Sequence, residues 1–367
     1  MPIAVGLDIG SEAVRAAAVD TGSGTPELRR FAEMPLPPGA VVAGEVVDEG
    51  AVAEVISALW KRHHLPRQGL VVGIANRRVI VRRVDVPHLG EGELAEALPS
   101  LVQDAIPILV EEAILDYLPM EEFTTTEGDP MLSILVVAAQ REMVESLVRV
   151  VRGAGLQVAS IDLQAFGLVR AAFGPSLTKD GEGTQGLLDI GATLTQVALT
   201  KAGITRFVDI IPTGGSRFTD ALAAGASMNR EDAEERKRSI GVAPGGMPGG
   251  DDEQASLSRI LTGIADGLID DIRGSVDGYL TQAGEHALAR LMVCGNGARL
   301  PHLALRIGRA LGTRVEPVRV LDHVNVGRVR LTEPQLLELQ PVLPAAVGLA
   351  LWGSYVVPPR NRSSPPA

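Results

Sequence analysis

At 367 residues, with 46% hydrophobic content, the chain is long enough for two or three domains with real cores. One cysteine, Cys294, excludes an intramolecular disulfide and a Cys-based zinc cluster. A net charge of −11 with 3% aromatic residues argues against a general nucleic-acid surface. The N-terminus meets Asp8 before a signal-length apolar core can form, and no run of about 18 uncharged apolar residues is present. A cytoplasmic protein is expected, reaching a membrane only through a partner.

The first element is the run Val5-Gly-Leu-Asp8-Ile-Gly10-Ser11-Glu12, followed by a second apolar run to Val19. It returns 181 residues later, where Leu187-Leu-Asp189-Ile-Gly191-Ala192-Thr193 leads into an apolar run to Leu199. Each copy reads as strand, tight turn, strand. Taken singly, each is an ordinary hairpin. As a pair facing across a cleft they can clamp a phosphate chain, with Gly10 and Gly191 free to take φ > 0 and successive amides converging on an anion. Ser11 and Thr193 add hydroxyls, and Asp8 and Asp189 at the strand ends can hold Mg²⁺ through its water shell.

Glu27 to Pro35 supplies a third strand, residues 49–62 an amphipathic helix carrying Val52, Val55, Ile56, Leu59 and Trp60, and Gly69 to Ala75 a buried strand. From Val79 the texture changes to strand 79–86, a helix broken near Pro99, strand 112–118, an acidic turn, strand 132–139, helix 140–152 and strand 157–161. Residues 162–173 form a connector helix, in which Gln164 is expected to face solvent. Gly181 to Gly186 fits Gly-x-Gly-x-x-Gly but precedes a strand, so it reads as a loop and not as a dinucleotide fingerprint.

In the second half, strand 204–211 leads to Gly214-Gly215, a helix start with free N–H donors. Glu234, Lys237 and Arg238 lie on one later helix, with Glu234 and Lys237 a turn apart. Residues 241–256 read as a mobile loop, and a long amphipathic helix runs from Leu257 with Asp266 and Asp270 on its solvated side. A buried strand then ends at Cys294-Gly295-Asn296-Gly297-Ala-Arg299-Leu-Pro-His302, where Asn296 is a residue that tolerates φ > 0. Pro344 to Trp352 is an apolar helix returning to the first half, and the tail 358–367 is expected to be disordered.

The paired hairpins, the Gly295 turn and their order resemble the actin-like ATPase superfamily. The segments Val84-Asp85-Val86-Pro87, Ile114-Leu115-Asp116-Tyr117 and Val137-Ala138-Ala139-Gln140-Arg141 resemble the inserted domain of the FtsA and PilM proteins. PilM-like pilus proteins are the better match, because no amphipathic membrane helix ends the chain; Pro99-Ser100 departs from their usual pattern. The resemblance implies an α/β, two-lobed actin-like fold with duplicated ribonuclease H-like cores. Its parts would be a first lobe (1–79), an FtsA/PilM-type insert (80–161), a connector (162–184), a second lobe (185–330), and a C-terminal helix (331–357) returning to the first.

The resemblance further implies ATP and Mg²⁺ as ligands. The phosphates would meet Gly10, Ser11, Glu12, Gly191, Ala192, Thr193, Gly214 and Gly215, and the adenosine would meet Glu234, Lys237, Arg238, Gly295, Asn296, Gly297 and Arg299. Asp8 and Asp189 would serve the metal. Gln164 is the one candidate for positioning an attacking water, so turnover is expected to be slow or absent. The implied partner is the N-terminal peptide of a PilN-like inner-membrane protein, captured in a groove between the insert and the first half, together with other pilus assembly components; self-association is left open. Neither nucleic acid nor direct membrane insertion is expected. An FtsA-like division filament is one alternative. A metabolic kinase is the other, but no carboxylate base with a supporting motif is present for it.

Overall fold

The computed structural model describes residues 3–22, 24–174, 183–250 and 252–352. The tail 358–367 and the start of the loop read at Gly181 to Gly186 lie outside them. The first lobe begins with the meander β1 (Ile3–Ile9), β2 (Ala13–Asp20) and β3 (Glu27–Pro35). A short hairpin, β4 (Val41–Val42) and β5 (Glu45–Val46), helix α1 (Glu49–His63) and β6 (Leu70–Ile74) follow. Asp48 caps α1 by accepting from the Ala51 amide at 2.9 Å, and Val52, Ile56, Leu59 and Trp60 are buried, as their spacing predicts.

The insert consists of β7 (Val79–Pro87), α2 (Glu91–Val102), β8 (Ala113–Thr124) and β9 (Pro130–Gln140), which form an antiparallel sheet in the order β7-β9-β8 with α2 packed on one face. Contrary to the sequence reading, α2 is unbroken at Pro99. Leu94, Leu98 and Val102 hold it down at i, i+4 and i+8, while Ala95, whose carbonyl loses its partner at Pro99, is exposed to water. The expected acidic turn is also shorter, since Pro119 to Thr124 continue β8 and the turn closes with the Thr125 amide on the Asp129 carbonyl at 3.0 Å.

Helix α3 (Arg141–Gly153) leads to β10 (Val158–Leu163), which pairs in parallel with β6. The strand that the sequence reading attached to the insert is therefore the edge of the first sheet, whose order is β10-β6-β1-β2-β3-β16, with β16 the short strand Asn325–Val326. Helix α4 (Gln164–Phe173) then crosses to the second lobe: β11 (Gln185–Ile190), β12 (Thr195–Lys201), β13 (Ile204–Ile211), α5 (Gly215–Gly225), α6 (Arg230–Ile240), α7 (Glu253–Ala283), β14 (Arg290–Cys294), α8 (Leu303–Leu311) and β15 (Val315–Pro317). Its sheet order, β13-β12-β11-β14-β15, repeats β3-β2-β1-β6-β10 with the same senses, so the sequence echo is an architectural duplication.

Two features of the second lobe depart from expectation. The loop after α6 is tied down: Arg306 donates to the carbonyls of Ala243 and Gly246, and Arg309 to that of Pro244. Asp266 lies on the solvated side of α7 as read, its side chain 42% exposed, and there receives both ends of the Arg306 guanidinium at 2.7 and 2.8 Å. The chain also returns to the first lobe earlier than 331, because β16 (Asn325–Val326) pairs with β3.

After α9 (Glu333–Leu339), helix α10 (Leu343–Ala350) is buried all round, which explains its lack of a polar face. It lies against α4 and β1 at glycine contacts. A Cβ on Gly348 would stand 1.9 Å from the Gly167 carbonyl oxygen, and one on Gly6 2.0 Å from that of Ala346.

Candidate functional site

The duplicated hairpins face each other across an interlobe cleft of about 370 Å³. Of the residues singled out in the sequence, Asp8, Gly10, Ser11, Glu12, Gln164, Asp189, Gly191, Ala192, Thr193, Gly215, Glu234, Lys237, Arg238, Gly295, Asn296, Gly297 and Arg299 all line it. Gly214 does not. It caps α5 behind the second hairpin, where a Cβ would stand 2.6 Å from the Gly191 carbonyl oxygen.

The turn glycines act differently from the sequence reading. Neither Gly10 nor Gly191 has positive φ. Their amides close the turns, Gly10 onto Ala13 at 3.0 Å and Gly191 onto Leu194 at 2.9 Å. The amides left without a hydrogen bond among the described residues are the next ones, at Ser11, Glu12, Ala192 and Thr193. The two tips touch: Ser11 Oγ lies 2.6 Å from Thr193 Oγ1, and Ser216 Oγ donates to Glu12 at 3.2 Å.

On the cleft floor, β1 and β11 carry Asp8 and Asp189 at corresponding positions, joined by an amide relay. Gln164 Nε2 donates to Asp8 at 2.9 Å, while Gln196 Nε2 donates to Gln164 Oε1 at 3.1 Å and to Asp189 at 3.2 Å. Gln164 is thus buried, not solvent-facing, because α4 starts beneath the floor. Burial raises the Asp8 pKa against the pull of Arg15, whose Nη1 is 3.6 Å away and whose Nε donates to Glu33 at 2.5 Å. Asp189 is raised to about 6 by burial and by the charge of Asp8. The nearby Cys294 thiol is pushed well up by burial and by Asp189.

Arg15 and Gln196 were missed by the sequence reading. Each is the cross-strand partner of an aspartate, Asp8 opposite Arg15 and Asp189 opposite Gln196, seven residues on in both copies. A long polar side chain inside an otherwise apolar strand was the available signal.

At the other end of the cleft, the left-handed residue of the turn is Gly295 (φ 87°), its amide bound to the Pro341 carbonyl at 2.7 Å. Asn296 does not use its tolerance for positive φ; His302 does, at φ 67°. Lys237 Nζ reaches Glu234 at 2.5 Å, Thr219 Oγ1 at 2.9 Å and the Gly215 carbonyl at 3.3 Å. Burial would raise the Glu234 pKa, but the bonds from Lys237, Thr219 and Arg238 prevail and lower it. Glu338, Leu339, Pro341 and Val342, also unforeseen, complete this wall, and Arg299 donates to the Glu338 carbonyl.

A divalent cation fits the floor. Two desolvated carboxylates face the cleft, one with a pKa near neutrality, and the buried Gln196 Oε1 has no partner among the described residues, so it can accept from a metal-bound water.

A second cavity, of about 300 Å³, opens between the first lobe and α3. It is lined by Glu45, Glu49, Arg78, Glu142, Ser146 and Arg149 among others, and it shares Ile9, Gly44 and Ala75 with the cleft as a common wall.

A family model described as type IV pilus assembly protein PilM matches residues 6–354. The solved PilM-PilN type IV pilus biogenesis complex is similar with a TM-score of 0.83 and 27% identity, over 96% of this chain and 99% of that one. Two more distant structures share the actin-like fold alone. Ethanolamine utilization protein EutJ from Carboxydothermus hydrogenoformans has a TM-score of 0.55 at 18% identity, over 96% of this chain and 90% of its own. MreB 5 of Spiroplasma citri bound to AMPPNP has 0.50 at 13%, over 87% and 92%. Among curated proteins, the cell division protein FtsA of Bacillus subtilis (strain 168) is 27% identical over 182 residues, which are 47% of this chain and only 39% of that protein. Among the described residues no helix is long and apolar enough to cross a membrane.

Proposed function

The chain belongs to the PilM family of type IV pilus assembly proteins, and we propose that it works in that machinery as a cytoplasmic actin-like protein that binds Mg·ATP and docks the N-terminal segment of a PilN-like inner-membrane protein. The observation that carries the nucleotide reading is the pair of facing hairpins, whose tips touch and whose four amides without a hydrogen bond among the described residues line the same cleft as two carboxylates. The amides of Ser11, Glu12, Ala192 and Thr193 would cradle the phosphates and Arg15 would offset their charge. The Gly295 to Gly297 turn, whose two glycines pack on Ile190 too closely to admit a Cβ, would lie against the base and ribose beside Arg238 and Arg299. A magnesium ion would supply charge neutralisation between phosphate oxygens, with Asp8 and Asp189 holding its water shell and Gln196 Oε1 orienting one of those waters.

Turnover is slow or absent on this reading. Both ends of the Gln164 amide are already committed, one to Asp8 and one to Gln196, which leaves none to orient an attacking water. The docking reading uses the second cavity, whose paired charges and adjacent wall to the cleft suit a short peptide carrying its own polar groups. The 27% identity to the PilM of a PilM-PilN complex over nearly the whole chain supports it.

Calorimetry tests both parts. Mg·ATP should bind to ligand-free protein and bind much more weakly in EDTA, and the partner's N-terminal peptide should bind wild type but not a folded Ser146→Trp variant with a filled cavity. Metal-independent ATP binding, or full peptide affinity in that variant, overturns the corresponding part.

A further inference from the structure

Residues 79–140 carry twelve aspartates and glutamates against two basic residues, Arg82 and Arg83, so nearly all of the net charge of −11 sits on this one segment. The segment also presents a long unpaired strand. β8 pairs with β9 along one side and with no strand among the described residues along the other. Apolar Ile114 and Phe123, each 37% exposed, share this strand with exposed Asp116 and Glu122.

The charge decides what such an edge can accept. A second copy of the chain would set acidic side chains opposite one another, which is how edge strands are kept from pairing with themselves. An anionic lipid surface is repelled for the same reason. A basic extended segment is attracted, and its apolar residues would meet Ile114 and Phe123.

The edge also begins beside the second cavity. Arg141, at the first turn of α3, donates to the Ala113 carbonyl at 2.9 Å, while its neighbour Glu142 lines the cavity. A chain leaving the cavity on that side would run onto β8. Membrane proteins concentrate lysine and arginine in the cytoplasmic stretch next to the bilayer. Resting on the docking reading above, we propose that the outer edge of β8 binds the lysine- and arginine-rich juxtamembrane stretch of the same partner as an added strand, after its tip has entered the cavity.

The experiment uses the full chain and two probes, each followed by fluorescence anisotropy. One is a twelve-residue peptide of alternating lysine and valine, with a serine-for-lysine control; the other is the partner's N-terminal tip peptide. The lysine peptide should bind wild type, lose affinity about tenfold between 50 and 300 mM salt, and slow hydrogen exchange across residues 113–124. A folded Glu112→Gln/Asp116→Asn/Glu122→Gln variant should bind it at least tenfold more weakly and bind the tip peptide unchanged. Equal binding of the lysine peptide by wild type and variant, no binding at all, or no change in exchange at 113–124 overturns the proposal. Failure of the tip peptide to bind wild type instead removes the docking reading on which it rests.

Discussion

Replacing Asp189 by asparagine should stabilise the ligand-free protein at neutral pH while removing a carboxylate from the cleft floor. The Asp189 pKa is raised from 3.8 to about 6. As pH rises from 3.8 to 6, the unfolded chain ionises this group while the native state keeps it protonated. The native state binds more protons over that window, so its stability falls as pH rises and the full penalty stands above pH 6. Two pKa units correspond to roughly 3 kcal/mol, and access of cleft water reduces this to about 2 kcal/mol. Asp189→Asn, which cannot ionise, should therefore gain about 2 kcal/mol at pH 7.5 and about half of that at pH 5. Urea denaturation of both proteins in EDTA at the two pH values measures it. A gain that is the same at both pH values, or a loss at pH 7.5, refutes the assignment of a desolvated carboxylate at this position.

Three further outcomes are expected. A Gly10→Val/Gly191→Val double variant should lose more than about tenfold in ATP affinity by calorimetry. The added Cβ atoms would stand 3.2 and 3.0 Å from the Ala13 and Leu194 carbonyl oxygens, so both turns must shift and misdirect amides worth roughly 1.5 kcal/mol or more each at a charged ligand. Gly348→Ala, a change that ordinarily favours a helix, should cost about 3 kcal/mol in a denaturant melt, because its Cβ would stand 1.9 Å from the Gly167 carbonyl. Because the cleft and the second cavity share Ile9, Gly44 and Ala75, ATP and the partner's tip peptide should change each other's affinity by one common factor, read by titrating each in the presence of the other.

Most of the fold could be read from the chain because its signals are local. The apolar runs in 5–19 and 187–199, the period of residues 49–62 and the uniform apolarity of 344–352 each report a burial pattern that the structure reproduces. What escaped the reading depends on partners distant in sequence. Nothing within Val158–Leu163 says that it pairs with Leu70–Ile74 and not with the adjacent insert. Nothing within 241–250 says that Arg306 and Arg309, some sixty residues on, hold its carbonyls. Pro99 misled because a proline removes one hydrogen bond, and at an exposed position water replaces it while three buried residues keep the helix in place.

The same distinction holds at the site. Residue types and spacing identified the cleft lining, yet they did not say which amides were already used, and Gly10 and Gly191 spend theirs on the turns. The two residues that escaped, Arg15 and Gln196, occupy one position of the duplicated hairpin and differ in charge. Opposite Asp8 stands a guanidinium; opposite Asp189 stands a neutral amide with one unbonded oxygen. Related strands thus give their aspartates different electrostatic settings. Asp8 has the Arg15 guanidinium within 3.6 Å, whereas Asp189 feels Arg15 only at longer range and is raised to about 6 by burial and by the charge of Asp8. On the proposed reading, a cation entering the floor would gain most at Asp189, which feels Arg15 only beyond ion-pairing distance, and Asp8 would serve it from the far side of the glutamine relay. Divergence at a single strand position thus gives the two carboxylates different neighbours, a guanidinium at Asp8 and an amide at Asp189.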